Sequence, residues 1–401
     1  MQGKVALYTI FRCTNYGAVL QAYALARTLR AICGEDAVDV LNHRMDPRDN
    51  HLLGKITNPN TPWFQRWRNR QKFSARYVSP DLFEKRRQST IRLIEGAIRP
   101  TERLYRTPDE FGGLPPYATV VVGSDQVWNP VLNHDFGCNQ YLADHLPEGQ
   151  DRVAYSASFG IAELPQDCES AYRAALLRFR EITVREESGA AILRRLSLPN
   201  CANPSVTLDP TMLLSAEDWS STLNSQPSPL GPLPPASLAA YWVRTVTQED
   251  VDALAALARE RGLPVSLMSA GPLPKLRFPD GVVPYVEADP FDFVRTVADC
   301  AGLVTDSFHG LQFAAIFARP FAALGDLGAA GSNASRLVDF CERYGIGGGM
   351  HDISRFRSGE GFGLSEMSPF RKDRLAAYRA ASLAALKSML PPSLSNRKDT
   401  L

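Results

Sequence analysis

The chain has 401 residues, of which 44% are hydrophobic and 22% charged, with 44 Lys and Arg balanced by 43 Asp and Glu. A net charge of +1 lacks the basic excess of a dedicated nucleic-acid binder, and no apolar run approaches the roughly 20 residues that cross a bilayer. Seven cysteines without a Cys-x-x-Cys pair argue against a structural zinc site or a disulfide framework, and at about 100–200 residues per domain the length predicts two domains.

Met1–Ile10 reads as an alternating strand without a cleavage site, so no secretory signal is expected and the protein is placed in the cytoplasm. Short apolar runs then alternate with amphipathic stretches, the pattern of βαβ units on a parallel sheet. Val5–Ile10 is the first strand. Thr14 and Asn15 cap a helix whose apolar face is Ala18, Val19, Ala22, Leu25, Ala26 and Leu29. Strands follow at 38–41, 119–122, 153–156, 182–184 and 206–208, with helices at 171–179 and 188–196. Within this half, residues 63–106 hold 12 basic and 4 acidic side chains. They form either a surface for an anionic acceptor or membrane face, or a solvated helical excursion in which Trp63, Phe64, Trp67 and Phe73 are packing residues.

Residues 226–235 contain five prolines, which excludes a helix or central strand and marks a boundary loop. The alternation then restarts: strands at 238–243, 265–268, 303–305 and 320–324, and helices at 249–261, 290–298, 310–317 and 336–344. A last amphipathic helix, 371–389, is long enough to return to the first half. The sequence therefore predicts an α/β protein of two Rossmann-like domains facing a cleft. Residues 1–225 form the first, 236–365 the second, and 366–401 the returning helix and tail.

Ligands of open α/β sheets bind at the carboxyl ends of strands, and four such ends are rich in polar residues. Asn15-Tyr16-Gly17 joins the first strand to its helix and offers amides to an anion, or is only a helix cap. A full Gly-x-Gly-x-x-Gly is absent, so no dinucleotide site is expected. Gly123-Ser124-Asp125-Gln126-Val127-Trp128-Asn129 either holds a sugar, with Trp128 as a stacking platform, or is an Asx-rich turn with Trp128 in the core. Arg185, near the strand end carrying Ser156 and Ser158, offers a donor fork to a carboxylate or phosphate, with Glu186 orienting it; the alternative is a helix-start ion pair. Thr305-Asp306-Ser307-Phe308-His309-Gly310 leads from a strand into a helix and makes His309 the candidate acid/base or phosphate partner. Arg336 is either a second anion-binding cation or a solvated helix-end residue.

These pieces, in this order, resemble the polysaccharide pyruvyl transferase family. The matching segments are Asn15–Leu25, Gly123–Asn129, Val184-Arg185-Glu186, Leu208-Asp209-Pro210 and Thr305–Gly310. The resemblance implies a GT-B-like fold, phosphoenolpyruvate as donor, and a saccharide hydroxyl pair as acceptor in cell-surface or exopolysaccharide synthesis. The products would be a pyruvate ketal and phosphate, formed without metal or cofactor. It makes His309 and Arg185 the catalytic pair. Asn15, Tyr16, Gly17, Ser156, Ser158, Arg185, Thr305, Asp306, Ser307, Gly310 and Arg336 become donor-binding residues. Acceptor contacts would come from Ser124, Asp125, Gln126, Trp128 and Asn129, and from Arg66, Arg68 and Arg70 on the basic segment. The acceptor could be lipid- or nucleotide-linked, with peripheral contact to the inner face of the membrane; nucleic acid is not a partner. The chain departs from the family at Ser307-Phe308-His309, where members tend to read Arg-Leu-His. Either Arg185, Arg336 or Lys275 replaces that arginine, or the donor differs. Two other functions stay open: a GT-B glycosyltransferase, with Glu287 or Asp289 gripping a nucleotide ribose, and a non-catalytic glycan-binding protein.

Overall fold

The computed structural model describes residues 3–43, 62–132, 139–228, 230–231, 234, 236–327, 334–346, 349–359 and 372–395. Cys138, parts of the proline stretch and of the loop before Arg336, and residues 366–371 and 396–401 of the C-terminal segment lie outside the described residues.

Twelve strands among the described residues form two sheets. The first contains β1 (Val5–Tyr8), β2 (Val38–Val40), β3 (Thr119–Val122), β4 (Arg152–Ala157), β5 (Glu181–Val184) and β6 (Ser205–Val206), in the order β2-β1-β3-β4-β5-β6. The second contains β7 (Leu238–Trp242), β8 (Val265–Ser269), β9 (Val282–Pro284), β10 (Gly302–Thr305), β11 (Phe321–Gly325) and β12 (Met350–Asp352), in the order β12-β11-β10-β7-β8-β9. Every pairing is parallel. Parallel sheets are covered on both faces, which is why β3 and β10 are buried along their whole length and read as unbroken apolar runs. Strand order reverses between β1 and β3 in one sheet and between β7 and β10 in the other, the places where α/β sheets open a ligand crevice. The result is a GT-B-like pair of Rossmann-like units.

The units share one apolar core. Tyr16, at the start of the Tyr16–Cys33 helix, stacks on Tyr241 of β7 with ring centroids 5.2 Å apart, and its hydroxyl donates to the Ala288 carbonyl at 2.7 Å. The basic segment adds a second link. Helices Trp63–Arg76 and Pro80–Leu93 reach across from the first unit. Val78 donates its amide to the Leu273 carbonyl at 2.8 Å, and Phe83 belongs to the core of the second unit. Arg86 is only 1% exposed; it donates to the Ser269 carbonyl at 2.6 Å, the Ala270 carbonyl at 2.8 Å and the Thr14 carbonyl at 2.5 Å, with its guanidinium 4.2 Å from the Tyr16 ring centroid. The +8 of this segment therefore includes a buried clamp and is not all surface charge.

The Lys372–Ser388 helix packs on the first unit: Ser382 Oγ accepts from the Leu208 amide at 2.9 Å, and Arg379 Nε donates to the Met212 carbonyl at 2.9 Å. β6 ends at Val206, where its partner β5 ends at Val184, short of the expected Leu208. Two edge strands, β9 and β12, and the Ala216–Ser225 helix went unread. The strands are three residues long and offer no period, whereas the helix carries a legible capping box of Ser215 and Asp218.

Candidate active site

Two buried residues at neighbouring strand ends begin the site. Arg185 follows β5, and Asp209 follows β6. Arg185 Nη1 donates to Asp209 Oδ2 at 2.8 Å and lies 3.5 Å from Asp125 Oδ1, while Nε donates to Glu186 Oε1 at 2.9 Å. Ser158 Oγ donates to the same Glu186 oxygen at 2.8 Å. Burial disfavours the Arg185 charge, but Glu186, Asp209 and Asp125 outweigh it and hold the guanidinium firmly protonated. Its remaining nitrogen, Nη2, is buried without a hydrogen-bond partner, as is Glu186 Oε2.

Asp209 links the units. Its Oδ1 accepts from the Thr211 amide at 2.9 Å and the Thr211 hydroxyl at 2.7 Å, and its Oδ2 lies 3.5 Å from Nε2 of His309 in the second unit. Burial pushes the Asp209 carboxyl up; His309 and Arg185 more than offset this and keep it well below the usual carboxylate range. On its other side the imidazole abuts Gly17, where an added Cβ would fall 2.1 Å from His309 Nδ1. Only glycine leaves room for this ring. A carboxylate on one nitrogen and a tight backbone wall by the other hold the imidazole in one orientation.

Beside this group lies a cavity of about 430 Å³ between the units, lined by Arg185, Asp209, Phe308, Gln312, Arg336 and Asp339 among others. The Arg185 and Arg336 guanidinium carbons lie 4.6 and 5.9 Å from the centroid of one ring, that of Phe308. Burial, and then the neighbouring Arg185, depress the pKa of Arg336. On the same wall, burial followed by Glu186, Glu342 and Glu187 raises the Asp339 carboxyl. Glu186 and Asp125 act the other way on Arg336 and partly offset its depression. The cavity thus sets two guanidinium groups beside a carboxyl whose pKa burial raises.

The structure brings Arg185 and Arg336 into the cavity lining, ties Asp125 to it through Arg185 and Ser158 through Glu186, and sets His309 behind Asp209 rather than in the lining. Other expected contacts are engaged in building the loops. Asn15 caps its own helix by accepting from the Gly17 amide at 3.0 Å. Thr305 donates to the Tyr241 carbonyl at 2.6 Å, and Ser307 caps Gly310 at 3.2 Å. An added Cβ on Gly310 would meet Thr305 Oγ1 at 2.7 Å, so this glycine serves packing. Asp306 accepts from the Val243 and Arg244 amides at 2.6 and 3.2 Å, tying β10 to β7 at the switch point. Ser124 Oγ donates to the Ser156 carbonyl at 2.5 Å, and both serines are fully buried. Asn129 donates to Gln126 Oε1 at 2.7 Å and accepts from the Val131 amide at 2.9 Å, the Asx-rich turn of the plainer expectation.

The stacking platform expected at Trp128 is absent: the indole is wholly enclosed against Phe159 and Phe179, with Nε1 donating to the Tyr141 carbonyl at 3.1 Å. Tyr16 is likewise enclosed in the joint. Arg66, Arg68 and Arg70 do not line the cavity, Arg70 pairing with Asp81. Lys275 is exposed in the loop beside Arg76 and does not line it either. Asp289, the carboxylate offered for a ribose, caps the Pro290–Asp299 helix and accepts from Ser89 at 2.8 Å. Asp209, Gln312 and Asp339 were assigned no role from the sequence, although Asp209 stands in a strand-end Leu-Asp-Pro that could have flagged it.

The family model described as polysaccharide pyruvyl transferase matches residues 15–326. Comparison with curated protein sequences gives no match. Among solved structures, UDP-GlcNAc 2-epimerase from Neisseria meningitidis is 10% identical, with 96% of this chain and 99% of that chain covered, at a TM-score of 0.43. ADP-heptose lps heptosyltransferase II from E. coli is 15% identical, with 96% and 99% covered, at a TM-score of 0.31. Likeness at this level speaks to no shared chemistry.

Proposed function

Since the chain belongs to the polysaccharide pyruvyl transferase family, we propose that it transfers a pyruvyl group from phosphoenolpyruvate to two hydroxyls of a saccharide. Both hydroxyl oxygens bond to C2 of the donor, and the C2–O bond to phosphate breaks. One hydroxyl proton is matched by the proton added to the methylene carbon, which becomes a methyl group, and the other leaves with phosphate. The products are a cyclic ketal and inorganic phosphate.

The observation that carries this reading is the pair of buried arginines on Phe308. Both guanidinium groups line the cavity against that ring, so a phosphate or carboxylate bound there would meet two fixed cations. Arg185 Nη2 supplies a buried donor for it. These two arginines stand in for the one missing at Ser307. Asp339 is assigned as the proton source for the methylene carbon because it lines the cavity beside the two arginines. The base for the acceptor hydroxyl is assigned to the Asp209–His309 pair, of which Asp209 lines the cavity and His309 lies behind it at 3.5 Å. With Asp289 committed to a helix cap, the ribose grip of a nucleotide-sugar enzyme falls to Glu287 alone.

The test is to incubate the protein with phosphoenolpyruvate and a panel of glycan acceptors, measuring phosphate and acceptor mass. Phosphate release with an acceptor gain of one pyruvate less one water supports the reading. Turnover of a nucleotide sugar with no phosphate released from phosphoenolpyruvate would overturn it.

A further inference from the structure

We propose that the outward face of the Trp63–Arg76 helix seats the protein on an anionic phospholipid surface. The inference is independent of the donor assigned above.

The helix has two unlike sides. Its inward side is fixed by Phe73, 1% exposed, which packs on Tyr77 and Phe83 at centroid distances of 4.8 and 6.3 Å, and by the Val78 and Lys275 amide bonds that fasten the following turn to the second unit. At about 100° per residue, Trp63, Phe64 and Trp67 fall within an arc of about 100° on the far side. They are 74%, 52% and 60% exposed. Arg70 lies at one edge of that arc and Arg68 at the other. Arg66, Lys72 and Arg76 lie outside that arc, Arg70 also pairs with Asp81 of the next helix, and the helix itself has no acidic residue.

Three large aromatics held in water on an anchored helix are costly unless something covers them. The covering surface must be apolar at its centre and negative at its rim. A flat anionic bilayer meets both needs: indoles sit at the headgroup level and arginines meet phosphates. No helix among the described residues is long and apolar enough to cross a membrane, so this contact lies in the interface plane.

The fluorescence of the intact protein offers a direct test. Its five tryptophans are Trp63, Trp67, Trp128, Trp219 and Trp242, and the last three are wholly buried, so a change on adding vesicles reports on the first two. With vesicles of phosphatidylcholine and phosphatidylglycerol, emission moves to shorter wavelength and the protein co-sediments; with phosphatidylcholine alone, or at high salt, both effects fade. The Trp63→Ser/Trp67→Ser variant binds at least about tenfold more weakly, and Arg68→Gln/Arg70→Gln flattens the salt dependence. An unchanged melting temperature shows that each variant is folded. Absence of vesicle binding overturns the proposal, as does binding that both variants retain. Binding to a soluble polyanion such as dextran sulfate but not to vesicles assigns the face to a glycan, and a concentration-dependent dimer abolished by Trp63→Ser/Trp67→Ser assigns it to a second copy; either result overturns the membrane assignment.

Discussion

At the scale of single residues, the proposed chemistry rests on a carboxylate that touches both units. Asp209 carries Arg185 and His309 on one oxygen and Thr211 on the other. Asp209→Asn keeps the shape but removes the charge that orients the imidazole and partners the arginine. We expect kcat to fall by about 10²-fold or more with a lowered melting temperature, measured by steady-state kinetics beside thermal unfolding. Gly17→Ala tests the opposite wall. Its methyl would fall 2.1 Å from His309 Nδ1, so the ring must move, and activity drops although no functional group is lost. An alanine variant of undiminished activity would remove the wall from the account. Arg185 and His309 stand out in the sequence because each follows a strand in a polar run; the structure sets Arg185 in the cavity lining and His309 behind Asp209. Their partner was harder to read, since Asp209 is 24 residues from Arg185 and 100 from His309 in the chain, and only the folded sheets bring the three together. The Thr305-Asp306-Ser307 run was over-read for the reciprocal reason: the polar side chains that suit a ligand also suit caps and loop ties, and here they are caps and ties.

At the scale of elements, the basic pair of helices is both clamp and surface. Composition shows twelve basic residues but cannot show that Arg86 points inward to three carbonyls while Arg68 points outward. Arg86→Ala leaves those carbonyls without their charged donor and is expected to cost about 3 kcal/mol, read from urea denaturation. Arg86→Lys restores only part, because an ammonium lacks the fork and does not stack on Tyr16. Equal stability of wild type and Arg86→Ala would show that the joint is held by its apolar core alone. Strands with continuous apolar runs, such as β3 and β10, were plain in the sequence. The edge strands β9 and β12 were not, because three residues half open to solvent bear no pattern.

At the scale of the whole molecule, the first unit is an acid-sensitive body. His43 is buried with Nε2 2.7 Å from the Thr9 carbonyl, and burial, then Arg12 and His145, push its pKa down to about 4. Burial and Arg152 push His145 down to about 4 as well. Both groups bind protons more readily when unfolded, so stability is full above the unfolded value near 6.5 and is lost as pH falls from there toward 4. The loss should reach about 3–5 kcal/mol by pH ~4.5, and His43→Gln/His145→Gln should flatten that slope. A pH-independent stability across this window would contradict the neutral, buried assignment. The near-zero net charge that excluded a nucleic-acid binder is thus an average over unlike regions: a cationic helix, a cavity with paired charges, and two histidines held neutral.

The proposed donor, which carries both a carboxylate and a phosphate, would bind on Arg185 and Arg336 in the cavity between the units. Calorimetric titration of phosphoenolpyruvate into the intact protein and into Arg336→Gln tests it most directly. The account predicts saturable one-site binding to the wild type, weakened at least about tenfold in the variant, since a hydrogen-bonded charge at a dianion is worth about 1.5–3 kcal/mol. No binding to the wild type, or equal binding to the two proteins, would contradict it.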